Sequence, residues 1–228
     1  MKYEIIDSPD FALLRVNFEN GGEKFISESG AMVAMDPTVK METSMRGGML
    51  AAAKRKLLGG ESIFQNTYTS SAAGQKAFFA PAPEGDLRAR ELGANESIFL
   101  QSGAYVGHIG EELNLDTKFG GVKNFFGGVG LFMLKITGPG TVFFASYGAL
   151  HEVDINNDTY ICDNGNLVGF SEGLEYDVKS FGGVKSFFFS GEGLVCHFRG
   201  TGKLWLQTRN PPTLAAFLEP FRRVQKSN

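Results

Sequence analysis

Internal repetition constrains this chain more than any other feature. FGGVKNFF at 119–126 returns as FGGVKSFF at 181–188. Around that pair the same displacement holds. SGAYVG, with Gly103, answers NGNLVG, with Gly165, and GLFMLKI answers GLVCHFR. ITGPGTVFF answers FRGTGKLWL, so that Gly138 and Gly140 match Gly200 and Gly202. Four motifs kept in one order mark a duplicated unit. A weaker copy opens the chain: SGAMVAM, with Gly30, matches SGAYVG, and Arg46-Gly47-Gly48 stands where Phe119-Gly120-Gly121 would. ESIFQNTYT and AGQKAFFA then take the places of VGLFMLKIT and GPGTVFFA, while GGMLAAAKRKLLGG replaces the shorter VKNFFGG. The copies run about 11–80, 86–147 and 150–210, within a single domain spanning 1–228.

Inside each copy the pattern is that of strands. Val16 and Phe18, Leu87 and Ala89, and Val153 and Ile155 alternate with polar residues at period two. Runs such as Gly130–Leu134 and Thr141–Phe144 are continuously apolar, as for strands covered on both faces. Asn20-Gly21-Gly22, Gly93-Ala94-Asn95 and Asn156-Asn157-Asp158 read as the turns that open the copies, and Gly138-Pro139-Gly140 and Gly200-Thr201-Gly202 as tight hairpins. Thirty glycines and 21 phenylalanines against one tryptophan suit many short strands. The predicted fold is all-β, with three tandem sandwich or jelly-roll-like repeats in a pseudo-threefold arrangement and a short C-terminal helix. One copy of ~60 residues buries too little surface to stand alone, so the three must share a core. The outer edges of the first and last copies need covering, by the C-terminal tail or by another subunit. A homo-oligomer, with three chains as the assumed number, is the expected partner state.

The tail, 211–228, changes period. Pro211-Pro212-Thr213 starts a helix that places Leu214, Phe217, Leu218 and Phe221 on one face. The prediction is a short helix laid on the sheet, limited by Pro220 and frayed over Arg222–Asn228.

A net charge of −3 and a pI of 5.7 give no general attraction to nucleic acid or anionic lipid, though local basic patches remain open. MKYEIIDSPD lacks the pattern of a secretory signal, and no apolar run approaches the ~18 residues that span a bilayer. Cys162 and Cys196 fit no metal spacing and sit in apolar strands, which predicts buried free thiols in a reducing, cytoplasmic setting.

ESGAMVAM near the start, LDTKFGGVKNFFGG with GLFMLKITGPGTVFFASYGAL in the middle, and SFFFSGEGLV with FRGTGKLWLQTRNP at the end resemble the altered-inheritance-of-mitochondria protein 24 family over nearly the whole chain. The resemblance implies a fold like that of the trp RNA-binding attenuation protein, an all-β jelly-roll-like sandwich repeated within one chain. It implies no biochemical activity and no cofactor.

Motifs for metal and phosphate chemistry are missing. His108, His151 and His197 carry no H-x-x-H or H-x-E pattern, and P-loop and H-E-x-x-H strings do not occur. The acidic pairs Glu111-Glu112, Glu172 with Glu175 and Asp154 with Asp158 read as exposed strand-edge carboxylates. A non-enzymatic protein is expected. The repeated loop F-G-G-V-K-[NS]-F-F holds the candidate binding residues: Phe119, Lys123, Phe125 and Phe126, and their counterparts Phe181, Lys185, Phe187 and Phe188. In the first copy Lys54, Arg55 and Lys56 occupy that place. These residues read either as hairpins folded over the core with lysine stems on apolar surface, or as a basic and aromatic patch for a partner.

Three functions follow as expectations. The first is a scaffold or interaction module self-associating through sheet edges. The second is a peripheral binder of membrane surfaces through Lys54, Arg55, Lys56, Lys123 and Lys185. The third, RNA binding, rests on fold analogy alone, and the acidic balance argues against nucleic acid as a partner.

Overall fold

In a computed structural model, residues 1–45, 64–119, 132–180 and 194–222 are described. Their strands fall where the sequence alternates or runs apolar. In chain order these are β1 (Lys2–Ile6), β2 (Leu13–Asn17), β3 (Lys24–Glu28), β4 (Met32–Met35), β5 (Lys40–Met45), β6 (Phe64–Thr69) and β7 (Lys76–Phe79). Next come β8 (Leu87–Leu92), β9 (Ser97–Gln101), β10 (Tyr105–Ile109), β11 (Asn114–Phe119), β12 (Phe132–Thr137) and β13 (Gly140–Ala145). The last are β14 (Leu150–Asp163), β15 (Leu167–Ser171), β16 (Leu174–Ser180) and β17 (Leu194–Gln207), followed by one helix, α1 (Pro211–Leu218). The protein is thus mostly β with a short C-terminal helix, built from several antiparallel sheets.

The first sheet runs β1-β2-β7-β4, and the second β5-β6-β3-β10-β13-β8. The third runs β11-β12-β9-β15-β17-β14, with β16 added on β17. β14 and β17 are long enough to serve twice. Residues 150–156 of β14 pair with 201–207 of β17, and beyond a bulge at Asn156/Asp158 residues 158–163 pair with 195–200. β15 joins the C-terminal half of β17 and β16 its N-terminal half.

Alternation along single strands explains the continuous apolar runs. In β13, Phe143 and Ala145 enter a core with Leu14, Phe25, Tyr68 and Phe79, while Val142 and Phe144 enter a second core with Ile98, Leu134 and Trp205. Successive side chains point to opposite faces, so a strand covered on both sides carries no polar residue between its apolar ones. β9 does the same, with Leu100 in the second core and Phe99 against a third that holds Phe170, Cys196 and Phe198.

Three expectations need comment. The glycine-rich Gly138-Pro139-Gly140 is no hairpin: β12 pairs with β11 and β9, whereas β13 pairs with β10 and β8. The glycines let the chain turn a corner from the third sheet into the second, and at Gly200, with φ at +126°, β17 bends without breaking. Cys162 and Cys196 are buried and free, as expected. α1 forms where predicted, with the Asn210 side chain accepting from Thr213 N–H at 2.8 Å. Its apolar face, however, does not lie on the sheet. Phe217 and Phe221 are 65% and 73% exposed, and their rings meet each other at 5.8 Å. The periodicity correctly gave one apolar face, but nothing in a periodicity says which surface covers it.

Candidate functional site

Of the candidate binding residues, Phe119 ends β11, its backbone paired with Phe132 of β12. Lys54, Arg55, Lys56, Lys123, Phe125, Phe126, Phe181, Lys185, Phe187 and Phe188 lie outside the described residues. The strands that bound those segments are three antiparallel pairs, closing at Met45 with Phe64, Phe119 with Phe132, and Ser180 with Leu194.

The polar residues singled out from the sequence are taken up in structural contacts. Glu111, Glu172, Glu175 and Asp154 face Lys24, Lys135, Arg199 and Lys203 rather than one another. Surface pairs of this kind are screened by solvent and contribute little to stability. His108 is buried, its Nδ1 2.5 Å from the Tyr105 hydroxyl, which accepts a 3.3 Å hydrogen bond from Gln65 Nε2. Cys162 and Cys196 face each other across β14 and β17. The hydrogen bond between their thiols, together with burial, pushes Cys162 far above the ordinary thiol range, the opposite of what a nucleophilic cysteine needs. Among the described residues no group of three or more His, Cys, Asp or Glu is placed to hold a metal ion.

A cleft of about 300 Å³ opens between the turns at 102–104 and 164–166 and the start of α1. The amides of Gln101 and Gln207 already have partners. Gln207 accepts from Tyr147 N–H at 2.9 Å and donates to the Gly165 carbonyl at 2.9 Å, and Gln101 donates to the Asn164 carbonyl at 3.0 Å. Such a cleft offers shape but few polar groups to a ligand.

Two edge strands each leave a pair of adjacent apolar side chains bare. Among the described residues β4 pairs only with β7 and ends the first sheet, and residues 158–163 of β14 pair only with β17. On β4, Met32 and Val33 are 36% and 58% exposed; on β14, Tyr160 and Ile161 are 37% and 50% exposed. Both edges present unpaired backbone groups beside apolar side chains, the usual template for adding a strand. Sequence reasoning anticipated open edges at the first and last copies without identifying which strands they were.

Residues 3–209 match the family described as Mitochondrial biogenesis AIM24. The chain belongs to this family. It is 28% identical over 228 residues to an uncharacterized protein, M6_Spy0233, of Streptococcus pyogenes serotype M6, covering 97% of this chain and 91% of that one. Its fold is similar to the crystal structure of protein SPYM3_0169 from Streptococcus pyogenes, with a TM-score of 0.80 and 27% identity over 97% of this chain and 99% of that one. The β architecture thus recurs in a solved member of similar length. Among the described residues no helix is long and apolar enough to cross a membrane.

Proposed function

We propose that this AIM24-family protein is a non-enzymatic interaction module that self-associates through two of its open sheet edges, β4 and residues 158–163 of β14. The stretches at about 11–80, 86–147 and 150–210 are, on this reading, copies of one sandwich unit in a pseudo-threefold arrangement. One observation carries the proposal. Val33 on β4 is 58% exposed, whereas its repeat counterparts Val106 and Val168 are 2% and 1% exposed. Single exposed apolar residues are ordinary on protein surfaces. An exposed residue whose two counterparts are both buried in inter-strand contacts implies a cover that the isolated chain lacks. Covering Met32, Val33, Tyr160 and Ile161 contributes ~1–2 kcal/mol apiece, at about 25 cal/mol per Å² of apolar surface. Paired backbone groups add to that total.

Cytoplasmic placement belongs to the same reading, since Cys162 and Cys196 remain thiols. The membrane-surface and RNA readings rest on loops outside the described residues and on fold analogy, and neither gains a separate observation. Light scattering on the column-purified protein at micromolar concentration is the test. A stable species of several chains is expected, and a strict monomer ends the proposal.

A further inference from the structure

The second and third sheets share one plan. In chain order each stretch supplies six strands: β2 to β7, then β8 to β13, then β14 (first half), β14 (second half), β15, β16, β17 (first half) and β17 (second half). Within every stretch the first strand pairs with the sixth and the sixth with the third, while the second pairs with the fifth and the fifth with the fourth. Two joints then link the stretches, and both are alike. β3 pairs with β10, and β9 pairs with β15, so the second strand of one stretch meets the third strand of the next. Each complete sheet is therefore a half from one stretch, in the order fourth-fifth-second, continued by a half from the next, third-sixth-first.

At the chain's two ends the halves are left over. β16, β17 and the second half of β14 make a fourth-fifth-second half with nothing beyond β14. β4, β7 and β2 make a third-sixth-first half with nothing beyond β4, and β1 is added at its far side. We infer that the partner at these edges is a second copy of this chain, joined head to tail, with β4 of one chain pairing antiparallel with residues 158–163 of β14 in the next. This pairing presupposes the self-association just proposed, and it names the partner, the two strands and their register.

The register follows from the two internal joints. Gly107 stands opposite Ser27 and His108 opposite Ile26; Gly169 stands opposite Leu100, Phe170 opposite Phe99 and Ser171 opposite Ile98. Counting from Gly30, Gly103 and Gly165, the residues equivalent to Ser27 and Leu100 lead to Cys162. The shared bulges after Met32, Tyr105 and Leu167 make Ala34 the counterpart of Gly107 and Gly169. Between chains, then, Ala34 meets Cys162, Met35 meets Ile161 and Asp36 meets Tyr160. The side chains agree with this placement. Val106 and Phe143 are buried in the core that the first stretch supplies, and their counterparts Val33 and Phe78 face outward, exposed and half-buried. Tyr160, 37% exposed, is the counterpart of Phe25 and Ile98, both fully buried.

One difference sets the joint between chains apart from those within it. A Cβ on Gly107 would come within 2.8 Å of the Ile26 carbonyl, and one on Gly169 within 2.4 Å of the Phe99 carbonyl. Ala34 has that methyl, so pairing there needs a local shift of the facing backbone that glycine spares the two internal joints.

Head-to-tail contacts use two different surfaces, which makes them separable by mixing. Val33→Glu blocks the β4 edge and Tyr160→Glu blocks the β14 edge. Because both side chains are exposed in the single chain, circular dichroism and the thermal transition of each variant confirm folding. Each variant alone is expected to run as a monomer in light scattering, and an equimolar mixture is expected to form a 1:1 dimer through the one intact pair of edges. A disulfide between Met35→Cys of one chain and Ile161→Cys of another is expected to trap the register. A Tyr160→Glu protein that keeps the wild-type mass means β4 pairs with β4 and overturns the inference, as does a mixture that stays monomeric. If neither variant changes the wild-type oligomer, self-association stands and this pairing falls. If wild type itself is monomeric, both fall.

Discussion

Trp205 is the chain's only tryptophan, and its indole N–H donates to Glu152 Oε2 at 2.8 Å. Arg90 lies over the same ring at 5.9 Å, and Lys203 reaches both Glu152 and Asp154. The hydrogen bond from Lys203, helped by the indole and opposed by burial, holds the Glu152 carboxyl below its ordinary value. A lowered folded-state pKa contributes stability above the unfolded value of 4.5, and that contribution is lost as pH falls through it. Because Lys203 and Glu152 are 34% and 43% exposed, solvent screening keeps the effect small. Glu152→Gln is therefore expected to lower the thermal midpoint slightly at neutral pH, with the gap closing as pH falls from the unfolded value of 4.5 through the lower folded-state one. Tryptophan emission followed through the same titration checks that the change arises at Trp205. None of this network was legible beforehand, because its members come from distant strands. The glycines were more readable. SGAYVG and NGNLVG pointed to equivalent backbone positions, and Gly107 and Gly169 do occupy the two close strand approaches.

At the level of elements, the strands were legible because burial leaves a period in the sequence. The corners were not. A Gly-x-Gly string serves a hairpin and a bend between sheets equally well, and only the pairing of β12 and β13 with different neighbours separates the two. The third stretch shows how little distinguishes them, since β14 and β17 carry straight through corners where β8, β9, β12 and β13 are broken. α1 supplies a further contrast. Its Pro-Pro start and apolar spacing were sufficient to place it, yet its apolar face is open. Phe217→Ser is expected to change the free energy of unfolding in urea by less than ~0.5 kcal/mol, as for exposed sites elsewhere. Phe143→Ala, in a residue with no exposed surface, is expected to cost ~3–5 kcal/mol. A large loss from Phe217→Ser shows that the helix is covered in solution.

Taken whole, the molecule packs its sheets about three cores, with β13 and β9 covered on both faces and β4 and the second half of β14 left partly bare. A chain that binds copies of itself in its folded state alone gains stability by mass action. The thermal midpoint of the wild type is thus expected to rise with protein concentration, while that of Val33→Glu stays constant. A wild-type midpoint independent of concentration from ~1 to ~100 μM argues against assembly. The basic and aromatic loops, the sequence's own candidates for binding, do not enter this reasoning, since Lys54, Lys123 and Lys185 lie outside the described residues.

Residue order alone determined the strand content and the helix start, because turn chemistry and alternation are local properties that survive in a linear string. Which strand lies beside which was decided only in three dimensions. β10 beside β3 and β15 beside β9 are contacts between stretches, and hydrogen bonding across a sheet leaves no trace in the spacing of residues along one chain. For the same reason the two edges that break the pattern of joints, β4 and the second half of β14, became visible only in the strand pairing.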